Sequence, residues 1–440
     1  MNRRWIAFHL AAGLVASGTA IELPAPAAAS ELLAFPGAVG HGRNAKGGRG
    51  GTVHLVSSLA DSGPGTLRAC VQASGPRTCI FAVSGTIILT EALRIRNPYL
   101  TIAGQSAPGG GVQLRNDPQS PHARSPMHLI DTHDIIVRHL RVRPGPGPNP
   151  TATDAISIED SHDVILDHVS LQWASDENIG ASGEVYNLTV QWSILAEGLD
   201  PHSKGALLCN SEVSPCDRMT LIGNLFAHNH DRNPNIDLNN GQFEFINNTV
   251  YNVRTEYVEI HGTNGGNLVN VIGNSFLRGP STISDTAAIR YYVETAAGPT
   301  RLYQAGNIGD VRLLGRSATR LLAERPVATL SVEPLDTRRA FELVVQGAGA
   351  LPRDAVDRRI VDQLEDRTGG IIREPGEVGG WSELTAGRPE LDSDRDGMPD
   401  DWERARDLDP FDPDDRHALD GLGYSALETF LAERAASLLP

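Results

Sequence analysis

The stretch Ile135-Ile136-Val137-Arg138-His139-Leu140 decides the fold, because similar segments recur along the middle of the chain. Each is a short run rich in apolar residues, as expected of a buried strand. The copies occupy residues 164–169, 188–193, 219–224, 243–248 and 269–274. Their fourth positions are residues 138, 167, 191, 222, 246 and 272, and subtraction gives steps of 29, 24, 31, 24 and 26 residues. Steps of this size predict one coil of a parallel β-helix per repeat.

The spacing also separates this fold from a β-sandwich. Parallel strands need crossovers of a dozen or more residues, which the intervals supply, whereas sandwich strands are joined by hairpins and rarely repeat in sequence. The longer steps must carry larger loops, and solenoids place their binding surfaces on such loops. Asn224, Asn248 and Asn274 occupy equivalent places, which predicts a stacked amide ladder at one turn of the coil.

The composition agrees with many short strands and limits the partners. The 440 residues include 45 glycines and only 5% aromatic residues, which fits tight turns better than a helical bundle. A formal net charge of −16 argues against nucleic acid as a partner. An acidic polysaccharide remains compatible, because the acids concentrate after residue 390 and a local basic groove can outweigh a distant acidic tail.

The first 29 residues have the parts of a secretory signal peptide: a basic start, an apolar stretch from Trp5 to Ile21, and Ala27-Ala28-Ala29 before Ser30. The alternative is a membrane anchor, but His9 and glycines break the stretch, which is short for a span of ~20 apolar residues. We therefore expect a secreted monomer, extracellular or periplasmic, with no stable membrane insertion.

Four cysteines form two close pairs in the sequence, Cys70 with Cys79 and Cys209 with Cys216. In an exported protein this pattern predicts two local disulfides that hold loops. Four buried thiols or a metal site are the alternatives, but neither pair has the two-residue spacing of zinc ligands.

The strand periodicity ends at about Gly315. We expect a β-helix domain over 32–315, an extension packed on it over 316–390, and a calcium-binding module over 391–440. In the extension, apolar residues at helical spacing predict a helix over 352–366.

The module resembles an EF-hand-like or thrombospondin type 3-like calcium loop. Asp392, Asp394 and Asp396 stand at positions 1, 3 and 5, Gly397 at position 6 and Glu403 at position 12. A solvated acidic tail is the alternative.

Several motifs in the first two thirds of the chain resemble the pectate lyases of the first polysaccharide lyase family. They span roughly residues 34–278, and the family fold implies a right-handed parallel β-helix. In the amino-terminal third they lie at 34–38, 47–51, 61–68, 83–87 and 101–105.

In the middle of the chain the resemblance implies the site residues and a Ca²⁺ cofactor. Asp154, Asp176 and Glu177 match the acids that bind calcium, and Lys204 matches a lysine that binds the substrate carboxylate. Arg232, in Arg232-Asn233-Pro234, matches the arginine that is the proposed base, although guanidinium is ordinarily always protonated, so physics favours charge stabilisation.

The chain departs from the family pattern at two places. Asp176 and Glu177 are adjacent, and neighbouring side chains on a strand point to opposite sides, so either a loop brings both to the ion or only one is a ligand. Asp237 stands where a second arginine often follows. Asp167-His168 matches a family pair but lies within a strand, which favours structural support, and His202 and His230 are placed to meet substrate.

The resemblance implies cleavage of α-1,4-linked polygalacturonate, pectate or pectin, by calcium-assisted β-elimination to 4,5-unsaturated oligogalacturonides. One alternative is a β-helical hydrolase acting on pectin through paired carboxylates and water. The other is a non-catalytic glycan-binding β-helix adhesin, in which Lys204 and Arg232 would have no role.

Overall fold

The computed structural model describes residues 32–147, 153–210, 215–263, 265–292 and 298–440. The predicted signal peptide lies outside these ranges. None of the described helices is long and apolar enough to cross a membrane.

Short parallel strands make up most of the described chain from Thr52 to Leu314. In chain order they are β1 (Thr52–Val56), β2 (Arg77–Phe81), β3 (Gly85–Leu89), β4 (Leu93–Ile95), β5 (Leu100–Ala103), β6 (Val112–Asn116), β7 (Met127–Ile130), β8 (His133–Arg138), β9 (Leu140–Val142), β10 (Ile156–Glu159), β11 (His162–Asp167), β12 (Ser170–Gln172), β13 (Glu177–Ser182), β14 (Val185–Gln191), β15 (Ile194–Ala196), β16 (Lys204–Asn210), β17 (Cys216–Ile222), β18 (Leu225–Ala227), β19 (Asn235–Asp237), β20 (Gly241–Ile246), β21 (Thr249–Tyr251), β22 (Val258–His261), β23 (Asn267–Ile272), β24 (Ser275–Leu277), β25 (Ala287–Tyr292), β26 (Arg301–Ala305), β27 (Ile308–Gly309) and β28 (Arg312–Leu314).

Helices lie mainly in the C-terminal part. The α-helices are α1 (Leu67–Gln72), α2 (Thr337–Gly347), α3 (Ala355–Asp366), α4 (Asp400–Arg404) and α5 (Ala426–Leu438). Single 3₁₀ turns cover Gly104–Ser106, Ala318–Leu321, Pro375–Val378 and Asp415–His417.

The strands form three parallel sheets that run the length of a β-helix. Sheet A has ten strands in the order β1-β2-β5-β8-β11-β14-β17-β20-β23-β26. Sheet B has nine, from β4 through β7, β10, β13, β16, β19, β22 and β25 to β28, and sheet C has nine, from β3 to β27. Each coil passes through sheets A, C and B in turn, so the predicted parallel β-helix is confirmed.

The predicted repeat register is also confirmed. Asp167 pairs with Arg138 on one side and Gln191 on the other, and Ile222 pairs with Gln191 and Ile246. Ile246 also pairs with Ile272, which completes the last step. Alternate residues of most sheet A strands point into one continuous core, which stacks aliphatic and phenylalanine side chains along the solenoid axis.

The corner between sheets A and C repeats from coil to coil. Asn248 accepts backbone and side-chain N–H bonds from Asn224, at 3.0 and 2.9 Å, and donates likewise to Asn274. The predicted amide ladder is therefore confirmed, and it extends one coil further to Asn307. Because these amides are buried, their mutual bonds satisfy groups that would otherwise destabilise the corner.

Both predicted disulfides, Cys70–Cys79 and Cys209–Cys216, are present. The first joins α1 to β2 at the end of the solenoid, where Leu67 and Val71 of α1 enter the core. The second joins β16 to β17 and so closes the loop between sheets B and A.

The C-terminal segments pack on the outer faces of the sheets. Helices α2 and α3 cover sheet C, and the predicted helix over 352–366 is present as α3, with Val356, Ile360, Val361 and Leu364 buried. Helix α5 covers the first strands of sheet A instead, where Phe430 and Leu431 lie in one cluster with Ile80 and Ala103.

Candidate active site

Three carboxylates meet at the edge of sheet B where its strands begin. Asp154 precedes β10 by two residues and Glu177 opens β13, and the pairing of Ile156 with Ile179 puts the two acids level on adjacent coils. Together with Asp176 they offer ligand oxygens that all lie within 4.8 Å of one another. Asp176 lies in the turn before β13, where strand alternation does not yet apply, so both neighbouring acids reach the cluster.

We call this group the sheet B cluster (Asp154, Asp176 and Glu177). It concentrates negative charge in a partly buried site. Burial, and then the charge of Asp176, raise the pKa of Asp154 to about 7. Burial, and then the charge of Asp154, raise the pKa of Glu177 to about 8, against the opposing effect of Arg232. Repelling hard oxygens at this spacing suit a divalent cation such as Ca²⁺, so the residues fit the predicted cofactor.

The two predicted cations follow on the next coils of the same edge. Lys204 opens β16 directly opposite Glu177, and its Nζ lies 2.6 Å from Oδ1 of Asp231. The guanidinium of Arg232 forms an ion pair with the carboxylate of Glu177. The structure thus brings together all five residues predicted for the calcium site and the catalytic cations.

The backbone of Arg232 is held in a left-handed conformation, with φ of 56°. Its N–H donates to Oε1 of Glu259 on the next coil at 2.7 Å, and the following Asn233–Pro234 bond is cis. The positive φ is uncommon for a residue with a long side chain, and the bond to Glu259 helps to fix it. The side chain of Arg232 points back along the edge of sheet B towards Glu177, two coils earlier.

The predicted histidines flank the cluster. His202 is 46% exposed at the side chain, with Nδ1 3.4 Å from Oδ1 of Asp176. His230 Nδ1 lies 3.5 Å from Oδ1 of Asp200. Next to this pair opens a cleft of about 880 Å³, whose lining includes Asp200, Arg254 and Arg373.

Sequence reasoning missed some members of this region. Asp231, the partner of Lys204, is adjacent to Arg232 in the sequence, but only the coil register shows that it faces Lys204. Arg373 comes from the C-terminal extension, and the sequence carries no signal that would place it beside the cleft. Asp237, at the position where the resemblance implies a second arginine, is buried in β19 and accepts the N–H of Thr263 at 3.1 Å.

Asp167 and His168 lie on sheet A and take no part in the sheet B cluster. Asp167 is fully buried and accepts bonds from Arg138 at 2.7 Å, His168 at 2.8 Å and Gln191 at 2.8 Å. Burial alone would raise its pKa, but the charges of His168 and Arg138 hold it well below the ordinary value. These contacts link three coils, as expected of structural support.

The predicted C-terminal calcium ligands form a second acidic group. Asp392, Asp394 and Asp396 lie in one loop with oxygens within 4.8 Å, and Gly397 follows with φ of 97°. Glu403, in α4, approaches Asp396 together with Asp415, a residue that the sequence reasoning did not include. Burial and the neighbouring acids raise the pKa of Asp396 to about 7 and that of Glu403 to about 8.

Fold and site together define a parallel β-helix protein with an acidic cluster and two cations on one edge. A "Probable pectate lyase C" of Aspergillus flavus is 37% identical over 431 residues, covering 93% of this chain and 95% of that protein. That of Aspergillus fumigatus is 35% identical over 433 residues, covering 94% and 95%. No family model matches the chain.

Two solved structures share the fold. The major allergen from cedar pollen superposes with a TM-score of 0.52 and 17% identity, over 71% of this chain and 93% of that one. A pectate lyase studied for substrate specificity and the anti-β-elimination mechanism gives 0.51 and 13%, over 74% and 99%. On the basis of its similarity to the Aspergillus proteins, the chain belongs to the pectate lyase family. It is a polysaccharide lyase.

Proposed function

We propose that the chain cleaves polygalacturonate by calcium-assisted β-elimination and leaves 4,5-unsaturated oligogalacturonides. The observation that carries the proposal is the edge of sheet B, where the calcium-type cluster of Asp154, Asp176 and Glu177 adjoins Lys204 and Arg232. The Aspergillus relatives carry a pectate lyase name, which gives the substrate class.

The reaction removes the proton next to a uronate carboxylate while the 4-linked oxygen leaves. That proton is weakly acidic, because a carboxylate stabilises an adjacent carbanion poorly. Asp154, Asp176 and Glu177 would hold Ca²⁺, which, when bound, neutralises the substrate carboxylate. Lys204 binds a uronate carboxylate from the adjacent coil, with Asp231 orienting its ammonium group.

Arg232 is assigned two roles, charge stabilisation and proton abstraction. Burial lowers the pKa of its guanidinium, but the charge of Glu177 outweighs burial and the net pKa is raised above the ordinary value. While paired with Glu177 it therefore acts as a cation that stabilises the enolate-like charge. Proton abstraction by Arg232 is the role that the family resemblance assigns, and it requires the guanidinium to leave Glu177.

The hydrolase alternative fits the geometry less well. Hydrolytic carboxylate pairs stand about 5–5.5 Å apart in retaining enzymes and about 6.5–9.5 Å in inverting ones. The sheet B cluster holds three acids rather than two, and one oxygen of each lies within 4.8 Å of the others. A cation accounts for such a cluster better than a water molecule held between two acids.

The test is the ultraviolet absorbance of the unsaturated product during digestion of polygalacturonate. We expect absorbance to rise with calcium and to stop on chelation, and Arg232→Lys to lower kcat about a hundredfold or more. Arg338→Lys, an exposed arginine on α2, serves as the matched control and should keep the full rate. New reducing ends without absorbance would reassign the chain to hydrolysis. If neither reducing ends nor absorbance appeared, the glycan-binding alternative would remain.

A further inference from the structure

The second acidic group contains carboxylates that nothing in the described chain neutralises. Both oxygens of Glu403 are buried and lack a hydrogen-bond partner, and the residue is fully inaccessible to solvent. Asp396, 1% exposed, likewise has a free Oδ2. Among the described residues, neither acid forms an ion pair. Burying unpaired carboxylates is costly, so a buried acid with these surroundings favours a bound cation.

Asp394, Asp396 and Asp415 each use one oxygen to hold the backbone and leave the other without a partner, whereas both oxygens of Asp392 accept backbone N–H groups. Asp394 Oδ1 accepts the N–H of Asp396 at 3.2 Å, and Asp396 Oδ1 accepts that of Met398 at 2.8 Å. Asp415 Oδ2 accepts the N–H of Asp409 at 2.7 Å. The second oxygen of each is buried without a partner. One set of oxygens thus fixes the backbone and the other set lacks a partner. Ligand oxygens of Asp396 and Asp415 lie within 4.8 Å of one from Glu403, and Asp394 lies within the same distance of Asp396.

We propose that Asp394, Asp396, Glu403 and Asp415 bind one divalent cation of the Ca²⁺ class, with Asp392 shaping the loop and completing the site. Five unpartnered carboxylate oxygens, two of them from Glu403, make up most of the six to eight oxygens that Ca²⁺ takes. Asp415 follows the calcium loop by a dozen residues, so the ion would cross-link that loop to the segment before α5.

The position of this site gives the ion a structural task. Met398, two residues after Asp396, is completely buried in a cluster with Ile80 of sheet A and with Leu427 and Phe430 of α5. Trp402, next to Glu403, packs edge to face on Phe430. A cation that fixes the loop and α4 therefore also fixes the surface on which α5 is held against the first coils of the β-helix.

The experiment is a calorimetric Ca²⁺ titration of the full chain after removal of metal. Asp154→Asn serves as the background, because it removes a ligand of the sheet B cluster and leaves the C-terminal site intact. In this background we expect one bound Ca²⁺, lost in Glu403→Gln and weakened about tenfold or more in Asp415→Asn. Asp401→Asn, fully exposed on the same helix, should bind as the background does.

Retained binding in Glu403→Gln, or no binding in the Asp154→Asn background, would overturn the site, and unchanged affinity in Asp415→Asn would remove that residue from it. Trypsin digestion provides a second readout, since Arg395, Arg404 and Arg406 are exposed. Calcium should protect these bonds in the wild type and in Asp401→Asn but not in Glu403→Gln. Lyase activity at saturating calcium should persist in Glu403→Gln, so failure of this site and failure of the proposed reaction are distinguishable.

Discussion

Replacing Asp357 by asparagine removes one charge from a buried ionic group that fastens α3 to the β-helix. Asp357 Oδ1 accepts bonds from Arg143 Nη2 at 2.8 Å and Gln172 Nε2 at 2.9 Å, and Oδ2 accepts from Ser170 Oγ at 2.7 Å. Arg141 Nε lies 3.7 Å away. Asp357 and both arginines are fully buried at the side chain.

The cost follows from what the substitution leaves behind. Asparagine keeps the shape but presents an N–H₂ group to neighbours that are all donors, and two buried guanidinium groups are left with Asp354 as the remaining carboxylate. Removing one partner of a buried pair costs about 3–5 kcal/mol. For about 410 residues at about 2.1 cal/mol/K each, the unfolding entropy is about 0.9 kcal/mol/K, so Tm should fall by about 3–6 °C.

Thermal unfolding followed by circular dichroism measures this shift. Asp362→Asn is the matched control, because Asp362 lies exposed on the same helix, and its Tm should stay within about 1 °C of wild type. Equal Tm values for the two variants would refute the reasoning, since they would mean that the buried charge adds nothing to the attachment of α3.

Three further predictions concern the cleft and the solenoid. Lys204→Ala should lower kcat/KM for polygalacturonate about tenfold or more, mainly through KM, because it removes a carboxylate-binding cation; initial rates over a substrate series would show this, and an unchanged KM would contradict it. Arg373→Ala should raise KM a few-fold at constant kcat, since the side chain is exposed at the cleft and 3.7 Å from Asp200; a change in kcat alone would contradict a binding role. The pKa of Asp167 is lowered in the folded state, so Asp167 stabilises the fold above its unfolded pKa of about 3.9 and this stability is lost as pH falls. The difference in Tm between wild type and Asp167→Asn should therefore shrink below about pH 4. A constant difference would contradict this prediction.

The regular part of the fold could be predicted because its information is local and repeated. The segment around Ile135 and its five copies each carry the strand pattern, and their spacing sets the register without any other input. The asparagine ladder follows from the same register. Asn307, its last member, was missed because the coil that carries it has no recognisable copy of the segment.

The rest of the site depends on contacts that no local pattern records. Asp231 is level with Lys204 only because adjacent coils stack with a step of 27 residues at this edge, and Arg143 meets Asp357 across 214 residues of sequence. Arg373 and Asp415 reach their places through irregular segments, where neither a strand nor a helix period constrains the chain. In the sequence both residues resemble ordinary surface charges, and their contact partners become apparent only in the folded structure.

The unequal lengths of the coils explain why the site lies where it does. The steps of 29 and 31 residues are the two longest of the five, and they contain the segments that end at Asp154 and Lys204. Sheet A keeps its register through both. In the first step the extra residues fall between β9 and β10, and in the second they fall partly before and partly after β16. Before β10, Arg143 precedes the Asp154 loop and is fixed by α3, and at the far end of β16 the Cys209–Cys216 disulfide ties that strand to β17. Rigid repeats therefore set the spacing of the charged groups along the edge, while α3 anchors the chain before the first longer step's loop and the disulfide anchors it after β16.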